Sequence, residues 1–355
     1  MKNIAVVCNY TLNSTRIGGM DRFFVAYDKA CKVKGFHVKW FFSGDKKFQF
    51  YDKLDIEFAF RTSVEDFFLE FQNVNKLRFE VVVTHFVELC TPFYKKIKQH
   101  GNSRIIAVDH NPRPINGFSL KKRIKNRLKG ILFSKYIDLF IGVSEYTKFQ
   151  IIKDYGRDVG KKTSIIYNGI ETEVYKLRTQ KNFGKFIVAS HLRKSKGIQD
   201  LIEAVDLLNT EHRKKLQIDI YGEGPMEKEL QLTVKEKALE QQFNFRGNSP
   251  NLNDIFHNYS YMLQPTYMEC FSLSILESLA ANVPVISTPV GGNLEVIEDG
   301  VNGFIFPPGD IELLSEIIGD ILDHKKAINK PVNQLIENKF YLDKMVLDHI
   351  NLLDG

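Results

Sequence analysis

Tyr261-Met262-Leu263-Gln264-Pro265-Thr266-Tyr267-Met268-Glu269-Cys270-Phe271-Ser272-Leu273-Ser274-Ile275-Leu276-Glu277 reads as a short apolar strand, a loop and the start of a helix. A brief apolar run of this kind suits a strand buried in a parallel sheet. Glu269 then falls in the loop at the strand's carboxyl end, where open α/β sheets bind ligands. From about Phe271 onward, through Ser272 and Leu273, backbone N–H groups at the helix start attract phosphate, helped by the helix dipole. Glu277 lies inside the helix and faces the same side. A carboxylate accepts several hydrogen bonds at once and so suits the hydroxyls of a sugar or a ribose. From the spacing alone, two surface glutamates on an ordinary strand–helix unit remain the alternative.

The same rhythm extends in both directions. Upstream, strand-like runs fall at Ile4–Cys8, His37–Phe42, Val81–Thr84, Ile105–Asp109, Leu139–Val143 and Ser164–Tyr167, with amphipathic stretches such as Asp21–Lys34 and Tyr146–Asp154 between them. Nearer the opening stretch, Phe186–Ser190, Gln217–Tyr221, Val285–Ser287 and Gly303–Phe306 are strand-like, while Gly197–Leu208 and Met226–Ala238 are helical. Alternation of this kind predicts parallel sheets wound by right-handed crossovers. Two such blocks in 355 residues predict two Rossmann-like domains. Glu171–Lys185 is polar, lacks an apolar period and is the linker candidate. Asn338–Leu353 is helical in pattern after the Lys330-Pro331 breaker. The expected division is 1–175, 176–337 and a terminal helix 338–355 that returns to the first domain.

A hydrophobic fraction of 43% with 26% charged residues excludes disordered, collagenous and coiled-coil classes. No stretch approaches the roughly 18 apolar residues of a membrane span, and the apolar run Ile4–Cys8 is too short for a secretory signal. Cys8, Cys31, Cys90 and Cys270 are widely spaced, so a reducing, cytoplasmic setting is expected rather than disulfides or zinc. Residues 1–180 carry 32 Lys+Arg against 18 Asp+Glu, net +14, whereas residues 181–355 carry 17 against 25, net −8. The step supports a domain boundary and makes the first half a candidate for an anionic partner: a membrane surface, nucleic acid or a phosphorylated substrate. No zinc-finger, helix-turn-helix or RNA-motif pattern is present, which argues against nucleic acid.

Six elements in order bring a family into view. They are Ile166-Tyr167-Asn168-Gly169-Ile170-Glu171, Lys196-Gly197, Tyr221-Gly222-Glu223-Gly224-Pro225, the Glu269/Glu277 pair, Ala280–Glu295 and Asp299–Asp310. With them the chain resembles the retaining, nucleotide-sugar-dependent glycosyltransferases of the GT-B fold, family 4. The resemblance is dense from Ser164 to Asp310 and thinner before that. It implies two parallel-sheet domains facing a central crevice, with acceptor on the first and donor on the second. It also implies transfer of a sugar from a UDP- or GDP-sugar to a hydroxyl of a glycan or lipid-linked acceptor, in bacterial surface polysaccharide synthesis. No metal and no cofactor beyond the nucleotide-sugar co-substrate are implied, and no Asp-x-Asp motif is present.

Residue by residue, the resemblance gives Glu277 the ribose hydroxyls and Glu269 the donor sugar near the reacting carbon. It gives Lys196 the diphosphate. His191 stands where the family usually has arginine, and Arg193 offers a replacement charge. Cys270 and Ser272 stand where the family favours glycine, narrowing the phosphate site or adding a hydroxyl. A nucleophilic Cys270 is the weaker reading. Gly18-Gly19 belongs to a loop that the family places near diphosphate and acceptor, although any strand–helix turn favours glycine. Asp21 and Arg22 read as helix-start residues. His110 resembles the family's active-site histidine, with a loop histidine fixed by Asp109 or Asn111 as the alternative; His85 is a weaker candidate. Asn168-Gly169 and Glu295 are read as structural.

The segment 120–133 interleaves Lys121, Lys122, Arg123, Lys125, Arg127 and Lys129 with Leu120, Ile124, Leu128, Ile131 and Leu132 at helical spacing. Two readings are open: a basic amphipathic helix lying on an anionic membrane surface, or a solvated helix packing its apolar stripe on its own domain. The first makes the protein peripheral on the inner face of the membrane. Two further functional readings are a non-catalytic GT-B partner subunit that binds nucleotide-sugar, and an epimerase or phosphorylase on the same fold.

Overall fold

The computed structural model describes residues 2–14, 17–179 and 183–354. The chain divides into two compact units, Met1–Asn168 with Leu342–Gly355, and Gly169–Tyr341.

Unit 1 is built on a seven-stranded sheet among the described residues. Its strands are β1 (Asn3–Thr11), β2 (His37–Ser43), β3 (Asp55–Ala59), β4 (Val81–His85), β5 (Arg104–Asp109), β6 (Leu139–Gly142) and β7 (Thr163–Ile165). They run parallel in the order β3-β2-β1-β4-β5-β6-β7. Val81-Val82-Val83-Thr84-His85 is buried throughout, as expected of a central strand covered on both faces. One side is an aromatic layer in which Trp40 stacks on Phe42 at 5.5 Å and meets Phe24 edge-on at 5.4 Å. The indole N–H is not left unpaired: it donates to the buried Asp28 carboxylate at 3.0 Å. The helix Leu342–Asn351 closes this side, burying Met345, Val346, His349 and Ile350. His349 packs on Phe23 at 5.0 Å and Tyr27 at 6.2 Å, both on the helix Gly19–Val33.

Unit 2 repeats the plan with β8 (Lys185–Ala189), β9 (Gln217–Tyr221), β10 (Phe243–Gly247), β11 (Tyr261–Gln264), β12 (Val285–Ser287) and β13 (Gly303–Ile305). Among the described residues they form a parallel sheet in the order β10-β9-β8-β11-β12-β13. In each sheet the chain winds outward one way and then returns to the middle. The direction reverses between β1 and β4 in unit 1 and between β8 and β11 in unit 2. The carboxyl ends of those strand pairs are the topological switch points, where this architecture leaves room for a ligand.

The structure adds two strands that the sequence pattern does not announce, β3 and β10. Both are sheet edges. Asp55 and Glu57 of β3 pair with Lys39 at 3.0 and 3.2 Å, and Arg246 of β10 pairs with Asp219 at 3.1 Å. Charge on an edge breaks the apolar run that marks an inner strand. β7 runs Thr163–Ile165 rather than Ser164–Tyr167.

The linker Glu171–Lys185 is corrected in part; its residues 180–182 lie outside the described residues. Positions 171–179 are tied into unit 2. Asn253 donates to the Val174 carbonyl at 3.1 Å, and Arg178 joins Ala281 and Ser260 carbonyls at 2.8 Å through its N–H and guanidinium. The changeover therefore falls at Asn168–Gly169, ahead of residue 175. The return also falls later, after Tyr341. Ile336 and Phe340 are buried in unit 2, Phe340 meets Phe271 at 5.3 Å, and its carbonyl accepts the Ile170 N–H at 3.0 Å. The terminal helical stretch is accordingly two helices, Gln334–Lys339 and Leu342–Asn351.

Truncation after Tyr341 uncovers Phe23 and Tyr27. We expect hydrogen exchange to show β1 and the helix Gly19–Val33 losing protection while β8 to β13 keep theirs. Equal loss in both units would contradict this account.

Candidate active site

The switch point of unit 2 gathers most of the predicted donor residues. After β8 the chain passes through His191, Leu192 and Arg193 into a single turn, Lys194–Lys196. After β11 it runs through Pro265–Ser272 into the helix Leu273–Ala280. The two loops touch backbone to backbone. Tyr267 N–H donates to the Ser195 carbonyl at 2.8 Å, and the Thr266 hydroxyl reaches the same oxygen at 3.2 Å. Gly197 has φ +72°, and a Cβ there would lie 1.8 Å from the Pro265 carbonyl oxygen. Only glycine fits both the left-handed conformation and the approach. The contact brings Lys196 Nζ to 2.7 Å from Glu269 Oε2, both side chains about a fifth exposed. The other Glu269 oxygen accepts the Cys270 N–H at 3.2 Å.

Gly291 supports Glu269 from behind. It has φ +68°, and a Cβ would lie 2.3 Å from the Glu269 carbonyl oxygen. The neighbouring Gly292 N–H donates to the Cys270 carbonyl at 2.8 Å. Glu295 lies in the turn Asn293–Glu295 that follows.

Ser272 caps the helix, accepting the Ile275 N–H at 3.4 Å. The buried Gln264 amide fixes that hydroxyl at 2.6 Å and reaches Ser274 at 3.3 Å. The serine that replaces the family's glycine is thus part of a hydroxyl–amide network at the helix start. Phe271 and Cys270 are buried. Glu277 is 9% exposed in the helix's second turn. Arg193 is exposed and His191 half-buried.

Gln264 and the pair Tyr267–Asp200 are additions to the sequence reading. The Tyr267 hydroxyl donates to the Asp200 carboxylate, and burial together with that anion pushes the phenol up to about 12. Asp200 is remote in sequence, so no local pattern marks the pair.

In unit 1, Gly18 and Gly19 start the first helix. Gly18 N–H donates to Asp21 at 2.8 Å, and the buried Asp21 also accepts from Tyr51 at 2.7 Å and Tyr10 at 3.1 Å. Asp21 is therefore a structural helix-start residue, and Arg22 follows it half-buried. His85 ends β4 and His110 follows β5. His85 Nδ1 lies 3.0 Å from His110 Nε2, and Phe86, with φ +59°, stacks on the His110 ring at 4.2 Å. His349 lies 5.8 Å from the His85 ring. Burial holds His110 down at about 4 and His349 at about 3, and pushes His85 well below its usual value. The rings are neutral at pH 7. Among the described residues the buried His85 Nε2 has no hydrogen-bond partner. Donation from His85 Nδ1–H leaves that nitrogen a bare lone pair, a lesser penalty than a buried unpaired N–H. His110 then carries its proton on Nδ1.

Neighbours of His110 in the chain are locked. Asp109 accepts the Asn111 N–H at 3.0 Å and pairs with Arg113 at 2.7 Å, while Arg113 also bonds Asp154 at 3.0 Å. All three charged side chains are nearly inaccessible. Asp154 lies on a helix far along the chain, so this brace is a structural finding. Desolvation nonetheless raises the Asp154 carboxyl, with Arg113 opposing.

The helix Leu120–Phe133 settles one alternative. It buries only Asn126 and Gly130, and a Cβ at Gly130 would lie 2.0 Å from the Tyr155 carbonyl oxygen. The small side packs inward. Leu120, Ile124, Leu128, Ile131 and Leu132 are 54–70% exposed. The reading in which the apolar stripe packs on its own domain is overturned.

Residues 170–339 match the family described as glycosyl transferases group 1, and residues 17–174 match glycosyltransferase family 4. N-acetyl-alpha-D-glucosaminyl L-malate synthase of Bacillus anthracis is 32% identical over 160 residues, 42% of each chain. An uncharacterized glycosyltransferase of Methanocaldococcus jannaschii is 27% identical over 208 residues, 57% of this chain and 56% of that one. The chain thus spans about half the length of these curated relatives. The structure of HepE from Anabaena in complex with UDP-glucose superposes with a TM-score of 0.80 at 17% identity, covering 100% of both chains. Sucrose-phosphate synthase from Thermosynechococcus elongatus superposes at 0.81, with 15% identity and 100% and 98% coverage. These likenesses carry the fold, which is GT-B. The chain belongs to the GT-B glycosyltransferases of family 4, group 1.

The histidines make a pH prediction. Unfolding restores each to about 6.5, so the unfolded chain binds more protons below that pH and stability falls on acidification. The window runs from about 6.5 down to about 4 for His110 and about 3 for His349. Each buried histidine removes up to about 1.4 kcal/mol per pH unit there. Denaturant melts between pH 7 and 5 should show the loss, and His349→Phe should flatten it. An unchanged pH slope in the variant would count against neutral burial.

Proposed function

We propose that the protein moves a sugar from a nucleotide-diphosphate sugar to a hydroxyl of a glycan or lipid-linked acceptor, with retention, in surface polysaccharide synthesis. The carrying observation is the Lys196–Glu269 pair at the switch point of unit 2, beside the start of the helix that holds Glu277. The UDP-glucose bound to the structurally similar Anabaena protein supports a UDP-sugar as donor.

In this reading Glu277 takes the ribose hydroxyls and Glu269 the donor sugar. Lys196, Arg193 and His191 face the diphosphate together with the amides of Phe271, Ser272 and Leu273. The bond between the anomeric carbon and the phosphate oxygen breaks, and charge grows on the diphosphate. Fixed donors aimed at that charge stabilise it more than they stabilise the ground state. Attack by the acceptor oxygen on the same face of the sugar gives retention, and its proton leaves with the diphosphate. Glu269 is freed for sugar hydroxyls when the diphosphate draws Lys196 away. Unit 1 is given the acceptor in this reading, and there His110 offers its Nδ1–H as a hydrogen-bond donor to a bound sugar.

Calorimetry with UDP, GDP and ADP tests the donor site. UDP should bind best, and Glu277→Ala should weaken it at least tenfold, about 1.4 kcal/mol. Absence of binding by folded protein would overturn the reading. Binding without turnover would favour the non-catalytic partner.

The exposed row on the helix Leu120–Phe133 supports peripheral membrane attachment. Lys121, Arg123, Lys125 and Arg127 are exposed beside it, and such a helix lies in the interface of an anionic bilayer. Among the described residues no helix is long and apolar enough to cross a membrane. Vesicles containing phosphatidylglycerol should co-sediment the protein, with Ile124→Glu/Leu128→Glu abolishing it. Equal binding to neutral vesicles would contradict the electrostatic part of this reading.

A further inference from the structure

Beside the β5 end of unit 1 lies a cavity of about 320 Å³. It is lined by the Asp109–Arg113–Asp154 brace, by Phe86 and Phe118, and by Glu65, Glu88 and Lys122. None of this is used by the donor site.

Three observations define what it takes. Asn126 also lines it, is 2% exposed, and among the described residues its Oδ1 has no hydrogen-bond partner. A buried amide oxygen without a donor is uncommon, and a small shift of the Asn126 side chain at the cavity wall would let it accept from an incoming hydroxyl or N–H. Second, the charged lining is four carboxylates against Arg113 and Lys122, and Glu88 also holds Lys129 at 2.7 Å. With Lys129 counted, four carboxylates face three cations, and this single excess negative charge disfavours an anionic ligand. Third, three aromatic residues, Phe86, Phe118 and Tyr155, stand among Asn9, Asn111 and Asn126. Apolar ring faces with convergent amides and carboxylates suit a pyranose, which has C–H faces and a rim of hydroxyls. Phe86 also stacks on His110, placing the cavity next to that histidine.

We propose that this cavity receives the terminal sugar of the acceptor, a neutral hexose or N-acetylhexosamine, and excludes uronic acids. The assignment rests on the glycosyltransferase reading above and adds the acceptor's chemical class. Asn126 is a specificity residue that accepts a sugar hydroxyl, and Phe118 covers a ring face.

Saturation-transfer NMR with methyl glycosides of glucose, galactose, N-acetylglucosamine and glucuronic acid tests this, alongside UDP calorimetry on the same samples. At least one neutral glycoside should bind, with the glucuronide at least tenfold weaker. Asn126→Leu and Phe118→Ala should each weaken the neutral glycoside tenfold or more and leave UDP affinity within twofold. Phe118 is in a loop, so its variant keeps the test valid if Asn126→Leu fails to fold. A glucuronide that binds as well as the neutral glycosides would overturn the proposal. So would neutral binding unchanged in both variants, or no glycoside binding by protein that binds UDP. Failure of UDP binding alone overturns the reading on which the proposal rests and leaves the glycoside result to stand separately.

Discussion

Backbone lies directly against backbone at Gly197, so close that a single added carbon would fall 1.8 Å from the Pro265 oxygen. The rest of the unit 2 site hangs on that approach. It presses the loop after β8 onto the loop after β11, and so carries Lys196 to Glu269. A second close approach, Gly291 behind Glu269, keeps the Glu269 backbone from retreating. A flexible lysine and a loop glutamate would otherwise spread over many rotamers, each side chain losing up to about 2 kcal/mol of freedom when ordered. Rigid backbone reduces what a ligand must organise on arrival.

Unit 1 secures its switch point differently. Where unit 2 uses glycines, unit 1 buries charge. Asp109 and Asp154 flank Arg113 at 2.7 and 3.0 Å with little exposure to solvent. Removing Arg113 alone would leave two desolvated carboxylates, a loss of about 3–5 kcal/mol. The brace fixes the chain on either side of His110, while His85 fixes its ring from the core. A neutral imidazole held this firmly is suited to donating one hydrogen bond in one direction and poorly suited to shuttling protons near neutral pH. The reaction proposed above asks no more of it, since there the departing diphosphate takes the proton.

Legibility followed burial and distance along the chain. Inner strands such as β4 and β11 are unbroken apolar runs and were readable directly. The edges β3 and β10 carry Asp55, Glu57 and Arg246, so their apolar signal is interrupted. Lys196, Glu269 and Glu277 stood out because a family pattern spaces them. Their pairing did not, since Lys196 and Glu269 are brought together by topology. Asp154, Asn126 and Gln264 look like ordinary helix or strand residues. Only the fold brings Asp154 to Arg113, or leaves Asn126 Oδ1 buried without a partner. The helix Leu120–Phe133 shows the limit of periodicity. Its apolar stripe was legible, but the side that faces inward is chosen by Gly130, whose missing side chain admits the Tyr155 backbone.

The most direct test of a nucleotide-sugar site at the unit 2 switch point is hydrogen-exchange mass spectrometry with and without UDP. The account predicts new protection in 190–197 and 268–277, with the strands β9 and β10 unchanged. Protection elsewhere, with those two loops exchanging as before, would contradict it.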